Sequence, residues 1–550
     1  MHLRRLASRR VFIGSIAASA GLASAGGAWK RHLVATGDSS GATGTATRAD
    51  HAYRIRHEAA LNQKNRSLPL DATNGDDDLY PSRFASYSKG LPHDDRGEVD
   101  PAAYTSLLSA VRSGRPAAFS AIPLGGTLKH VNPQAAYTFT LQGADSHHVD
   151  LRAAPAFASA EAASDMAEVY WHAVLRDVAF TEYPTDATVA AACRDLARLS
   201  DFRGPKQSGG VTPTVLFRGT TAGDLVGPYI SQFLYASVPH GVFTLEQRFR
   251  MPTPGVDYMT HGDEWLAIQR GSEAARGIAL EFDRRYLRTG RDLARYVHRD
   301  YTFEAFLNAA LLLTSLGESY VSPSPYNPRA CSAGAELRWL ATEAGFSTFG
   351  PAQILDAVAA VANLALRATW RQKWLLHRRL RPEAFAHRVD RAINHGAEYP
   401  IHVDLRASSV RDFLAHDNLL LPMAYPEGAP AHPSYPAGHA AIAGACATVL
   451  KAFFREDAVF PGPVRPSIDG LSLLPVENVT LTIGGELDKL ASNISIARDF
   501  AGLHYRSDAR EGMRLGEAVA TAYLADMRRC LTEEFDGFSL TTFGGEPVTV

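Results

Sequence analysis

The chain is 550 residues long, 46% hydrophobic and 21% charged, with a formal net charge of −2. That is ordinary globular composition with material for a large core. The balanced charge and the lack of a basic block interleaved with aromatics argue against nucleic acid as a partner, and four cysteines in so long a chain argue against a disulfide framework.

The N-terminus reads as an export signal. Ser8-Arg9-Arg10-Val11-Phe12-Ile13 fits the twin-arginine pattern, a mild apolar stretch runs to Ala28, and Ala23-Ser24-Ala25 offers an A-x-A cleavage site. The stretch is rich in Gly, Ser and Ala, so it makes a poor permanent membrane span. Residues 1–28 are assigned as a twin-arginine signal peptide. That points to a bacterial protein folded before export to the periplasm or the medium. Residues 29–50, small and polar from 36 on, read as a flexible linker. Residues 51–157 mix Pro, Gly and Asp with short apolar runs and read as an N-terminal extension with isolated helices, packing on the core. The main domain is assigned to 158–550.

Apolar residues at three-to-four spacing predict helices over 158–180, 293–316, 333–344 and 354–376. Residues 440–454 are apolar nearly all round, the pattern of a buried helix, and 488–500 and 508–527 complete the set. Between them, 461–485 shows Val/Leu/Thr alternation with a turn signal at Gly484-Gly485, consistent with one short β-hairpin. The fold class is mainly all-α, a helical bundle in which sites form from facing helices.

Three segments of this bundle carry chemistry suited to an anion. The first, KWLLHRRLRP (373–382), contains the only lysine between Lys206 and Lys451 in an arginine-biased chain. A compact ammonium does what a planar guanidinium does not. Arg381 precedes Pro382, which pushes it out of helical geometry so that it can turn back toward the helix end. The second, HPSYPAGH (432–439), is a tight loop ahead of the buried helix. There the Gly438 N–H can face an anion at a helix start, and His439 follows directly. The third, RDFAGLHYRSD (498–508), places Arg498 and His504 six residues apart, with Asp508 four beyond His504 on the same helix face. Asp508 can therefore orient that imidazole. Arg381 and Arg498 supply planar forks for an oxyanion; His432, His439 and His504 supply nitrogen ligands or proton carriers.

In this order the segments resemble the vanadium-dependent haloperoxidases and, more distantly, the acid phosphatases that share their fold. The seven residues between Lys373 and Arg381, the presence of His432, and the stretches YWHAVLRDVAF (170–180), GPYISQFL (227–234) and YPEGAPAHPSYPAGHA (425–440) look like the bromoperoxidase branch. The resemblance spans residues 158–527. It implies vanadate as cofactor, one per subunit, without haem, flavin or NAD. His504 would be the covalent ligand to vanadium, with Lys373, Arg381, Gly438 and Arg498 holding its oxygens. His439 would do the acid–base work and Lys373 would polarise the oxidant, with His432 and Asp508 completing the catalytic set. Hydrogen peroxide, a halide (bromide or iodide before chloride) and a small organic acceptor would be the substrates; a homo-oligomer is open as a further partner state. The alternative is an exported acid phosphatase with His504 as nucleophile; a binding protein with a degraded site is a third reading. One departure stands out: the family loop reads Ser-Gly-His, and here it is Ala437-Gly438-His439. A hydrogen bond to a charged group is worth roughly 1.5–3 kcal/mol, so the missing hydroxyl bears on vanadate affinity.

Overall fold

The helix Gly438–Phe453 sets the architecture. All of it except His439 is buried, because its sequence is apolar on every face. Such a helix needs neighbours all round, and Pro351–Arg371, Ile483–Phe500 and Arg506–Cys530 supply them. The crossing with Arg506–Cys530 is especially close. A Cβ on Gly444 would meet the Met513 carbonyl oxygen at 2.1 Å, and one on Gly516 would meet that of Ala441 at 2.0 Å. Gly512 likewise stands 2.7 Å, measured from such a Cβ, from the carbonyl of Ala437 in the functional loop. Backbone rests on backbone, so the two helices that start beside that loop keep a fixed spacing.

The computed structural model describes residues 45–327 and 342–550. The chain divides after Asn65. The described part of the first unit is the single helix Thr45–Asn65, so the linker reading of 29–50 ends inside a helix, and the extension begins at Arg66 rather than at 51. Within the second unit, Arg66–Val550, residues 66–157 are part of the fold. Tyr87, Leu91, Tyr104 and Leu107 form a satellite core that encloses Trp374, the neighbour of Lys373. The signal-peptide reading lies outside the described residues, as do Cys331 and nearly all of the helix expected over 333–344. Among the described cysteines, Cys193, Cys446 and Cys530 are free. No described helix is long and apolar enough to cross a membrane.

The fold is mainly helical, as the periodicity predicts, with three differences. The span 293–316 is two helices, Gly290–Tyr296 and Glu304–Ser315. The first is fixed by a Thr289/Asp292 capping box, and the polar break between them carries Asp300. The helix over 354–376 changes register: Pro351–Arg371 is α-helical, and Gln372–His377, with Lys373, is a π turn, a feature common at functional sites. The hairpin exists, pairing Val464–Pro466 with Leu473–Pro475. It turns at 467–472, however, and Gly484-Gly485 lies in the first turn of Ile483–Phe500, where Thr482 caps Gly485 N–H at 3.1 Å. Among the described residues there are three more two-stranded ribbons, too short to have a readable alternation.

Replacing Gly516 with Ala inserts a methyl between two backbones that have no side chain to yield. The expected result is a loss of about 1–3 kcal/mol, read as a lower melting temperature. An unchanged melting temperature would show that the two helices separate freely.

Candidate active site

Lys373, in the π turn, is fully buried. It donates to the carbonyls of Pro433 (2.7 Å) and Ser434 (2.6 Å), tying the first segment to the loop. Arg378 then ends the turn in the left-handed region, at φ 36°. Its guanidinium caps the carbonyls of Trp374 and Leu375 and pairs with Asp77 at 2.6 Å. That reversal brings Arg381, 1% exposed, back to the loop. Its Nε donates to the His432 carbonyl at 3.0 Å, and one Nη donates to the Leu503 carbonyl at 2.8 Å.

His504 sits opposite. Its Nδ1 donates to Asp508 at 2.8 Å, leaving the Nε2 lone pair directed inward, 2.9 Å from Arg381 Nη1. Burial, then the charge of Arg381, holds the His504 pKa well below the ordinary histidine value. The ring is therefore neutral, the state a metal ligand needs. Asp508 is fully buried. Burial alone would raise its pKa, but Arg379, His504 and Ser434 outweigh that and keep it ionised.

His439, at the start of the buried helix, is half-buried and lies 3.1 Å from both carboxylate oxygens of Asp300. Burial and Arg498 lower its pKa, so a neutral ring donates Nε2–H to Asp300 and keeps Nδ1 as an acceptor. His432 packs on Trp370 and stands 3.0 Å from Arg381 Nη2; burial and Arg381 hold its pKa well down too. Among the described residues the Arg498 side chain hydrogen-bonds to the Val297 carbonyl, while its buried Nε has no partner.

All seven charged or imidazole residues expected at the site thus come together, with Gly438 at the helix start. Three of them, Lys373, Arg381 and Arg498, are buried cations without a carboxylate oxygen within 4.0 Å among the described residues. A buried charge left without a counter-ion is costly. Burial, then Arg381, accordingly drives the Lys373 pKa well below the ordinary lysine value. The space over Gly438 is open enough that a Cβ there would meet only side-chain atoms of Leu366 and Trp370, at 3.5 and 3.6 Å. The first N–H groups of a helix have no intrahelical partner, and Ala437 supplies no side-chain cap for them. Uncompensated cations, an orphaned guanidinium N–H and a free helix start fit an oxyanion. The neutral imidazole fits its central atom.

Sequence reasoning missed Asp300, Arg379 and Ser434. Arg379, stacked on Tyr505 at 4.0 Å, pairs with Asp508 at 2.7 Å and Asp165 at 3.1 Å. The Ser434 hydroxyl donates to Asp508, so it is not free to replace the hydroxyl absent at 437.

A helical bundle that gathers buried cations and neutral imidazoles in this way fits an oxyanion-binding class of protein, and the comparisons with known proteins narrow it. The family model described as the VCPO second helical-bundle domain matches residues 354–533. The vanadium-dependent bromoperoxidase of Ascophyllum nodosum is 34% identical over 527 residues, covering 91% of this chain and 92% of that protein. The vanadium-dependent bromoperoxidase of Corallina pilulifera is 32% identical, covering 92% and 98%. The homohexameric structure of a second vanadate-dependent bromoperoxidase from Ascophyllum nodosum superposes with a TM-score of 0.86 at 28% identity, covering 98% of this chain and 94% of that one. The chain belongs to the vanadium-dependent haloperoxidases. It is a peroxide-using oxidoreductase of that family, which implies vanadate as its cofactor.

Because His432, His439 and His504 all have lowered pKa values in the fold, the unfolded chain binds more protons below about pH 6.5. Their contribution to stability is present above that pH and lost as pH falls, by roughly 1.4 kcal/mol per pH unit for each proton taken up. The melting temperature of vanadium-free protein should drop between pH 7.5 and 5.5. The drop should be shallower in a His432→Gln/His439→Gln variant; equal slopes would mean that these rings titrate normally.

Proposed function

We propose that the protein oxidises bromide or iodide with hydrogen peroxide to hypohalous acid, using vanadate held by Lys373, Arg381, Gly438, Arg498 and His504. The observation that carries this reading is the trio of buried cations without carboxylate partners facing a neutral imidazole. Bound vanadate would supply the Lewis-acid centre at which peroxide becomes electrophilic.

The chain's own residues do the rest. Lys373 and the two arginines offset the anion's charge, and preorganised donors of this kind favour charge that develops during reaction. Asp508 holds the His504 Nδ1–H so that Nε2 stays available as the ligand. Peroxide, bromide and one proton give hypobromous acid and water. His439, with Nε2–H on Asp300, carries that proton at Nδ1. His432 braces the Arg381 fork and packs against the ring of Trp370.

Stripped protein should gain bromide-oxidising activity on addition of orthovanadate, with phosphate competing, and His504→Ala should lose stoichiometric vanadium binding while remaining folded. Activity that survives removal of vanadium unchanged would overturn the proposal. Phosphomonoester hydrolysis at a higher rate than bromide oxidation would favour the phosphatase alternative.

Ala437→Ser restores a hydroxyl at the helix start. Vanadate affinity should rise by up to about tenfold, which ~1.4 kcal/mol permits, as measured by titrating activity against vanadate. Bromide should remain preferred to chloride in both forms, as the bromoperoxidase relatives suggest. Equal rates at equal halide would overturn that preference and leave the vanadate site standing.

A further inference from the structure

A second concentration of positive charge lies beside the active site, in a part of the fold that the proposed chemistry does not use. A cleft of about 380 Å³ is lined by Arg248, Arg250, Arg284, Arg295 and Arg299, with Glu304 the one acidic residue on its wall. Among the described residues none of the five arginines has a carboxylate oxygen within 4.0 Å. Elsewhere arginines of the same region are paired, as Arg285 is with Glu281 and Asp292. The five spend some donors on carbonyls: Arg248 on that of Arg284, Arg250 on that of Glu281. Those bonds position the side chains without neutralising them, and the buried Nε of Arg248 has no partner.

The backbone makes the concentration more pointed. Arg250 and Arg284 are directly opposite each other where Phe249–Pro252 pairs antiparallel with Leu280–Arg285. Like charges at such a cross-strand pair are unfavourable, so an anion between them relieves a repulsion built into the ribbon.

The segment 295–300 runs from this cleft to the active site. Arg295 and Arg299 line the cleft. His298 stacks on Tyr425 at 3.9 Å, and the Arg498 guanidinium lies 5.8 Å from the same ring. Asp300, next after Arg299, holds His439. Tyr296 and Glu304 on the cleft wall both feel the charge of Asp300.

We propose that this arginine cleft is an accessory anion site that gathers halide for the adjoining active site. The inference rests on the halide-oxidising reading above. A recess lined by one sign of charge raises the local concentration of counter-ions and is weakened by salt.

The test uses the full-length protein and bromide itself. The variant Arg250→Gln/Arg284→Gln/Arg299→Gln changes three exposed side chains, and the corresponding triple Lys variant keeps the charge. At low ionic strength, wild-type protein should broaden the bromide NMR line, and the Gln variant should lose most of that broadening. In the vanadate-loaded enzyme, KM for bromide should rise about tenfold in the Gln variant, the lower end of electrostatic focusing, with kcat and KM for peroxide unchanged. The difference should disappear near 1 M salt, where the Debye length is about 3 Å, and the Lys variant should behave as wild type. Equal linewidths and equal KM values in wild type and the Gln variant would overturn the site. So would a fall in kcat at constant KM, or a Lys variant as impaired as the Gln one. Broadening that depends on the arginines in a protein without vanadate-dependent bromide oxidation would support the cleft and overturn the functional reading.

Discussion

The constraint on which the rest of the structure depends is the burial of three cations with no carboxylate oxygen within 4.0 Å among the described residues. Among the described residues most other buried cations are paired, as Arg379 is with Asp165 and Asp508, Arg506 with Glu168 and Lys489 with Glu486; Arg388, which donates to the carbonyls of Phe84 and Gly97, is the exception. At the centre the protein holds its carboxylates one step back. Asp508 reaches the pocket through His504, and Asp300 through His439. Direct pairing would cancel the field that holds an oxyanion. One intervening imidazole preserves that field and still limits the cost of the buried charge. The glycine-lined helix crossing, the π turn and the satellite core around Trp374 all keep the cations from swinging out to solvent.

How much of this was legible in the sequence depends on where each partner lies along the chain. Lys373, Arg381, His432, His439, Arg498, His504 and Asp508 sit at short fixed spacings within three segments, so local pattern was enough to pick them out. Asp300 contacts His439 across 139 residues and Arg379 contacts Asp508 across 129, and no local rule couples such positions. Arg379 was further masked by its neighbours, since a run of His and Arg at a helix end also satisfies the helix dipole. A signal for Asp300 did exist: the polar residues at 298–302 interrupt the apolar period of the span read as one helix.

Element boundaries failed for a related reason. Gly484-Gly485 is equally good as a turn and as the opening of a helix; Thr482, three residues before Gly485, decided for the helix by capping it. Gly444, Gly512 and Gly516 give no period of their own. Their meaning appears only when two helices are laid side by side and the absent Cβ atoms turn out to be the contact. The reading of 51–157 as an extension packing on the core rested on its Pro, Gly and Asp content. It did not identify the contact with Trp374, the neighbour of Lys373, because the residues of that segment packed on Trp374 lie more than 200 residues earlier.

Ala437 shows how one substitution can act on both sides of a binding equilibrium. A serine at that position could cap the helix that begins at Gly438, and capping is worth roughly 0.5–2 kcal/mol. Alanine provides no such bond, so without an anion the helix start is less well satisfied. With an anion bound, the same free N–H groups and the positive end of the helix dipole are donors to it. The substitution therefore removes one side-chain donor from the site and leaves backbone donors uncommitted. The net loss of affinity is a difference between these two contributions, and it is smaller than the loss of a hydroxyl alone would give. The neighbouring Ser434 cannot alter that balance, because its hydroxyl belongs to Asp508 and through Asp508 to the orientation of His504. In this loop the Ser434 hydroxyl serves the imidazole through Asp508, and the N–H groups at the helix start are left for an anion.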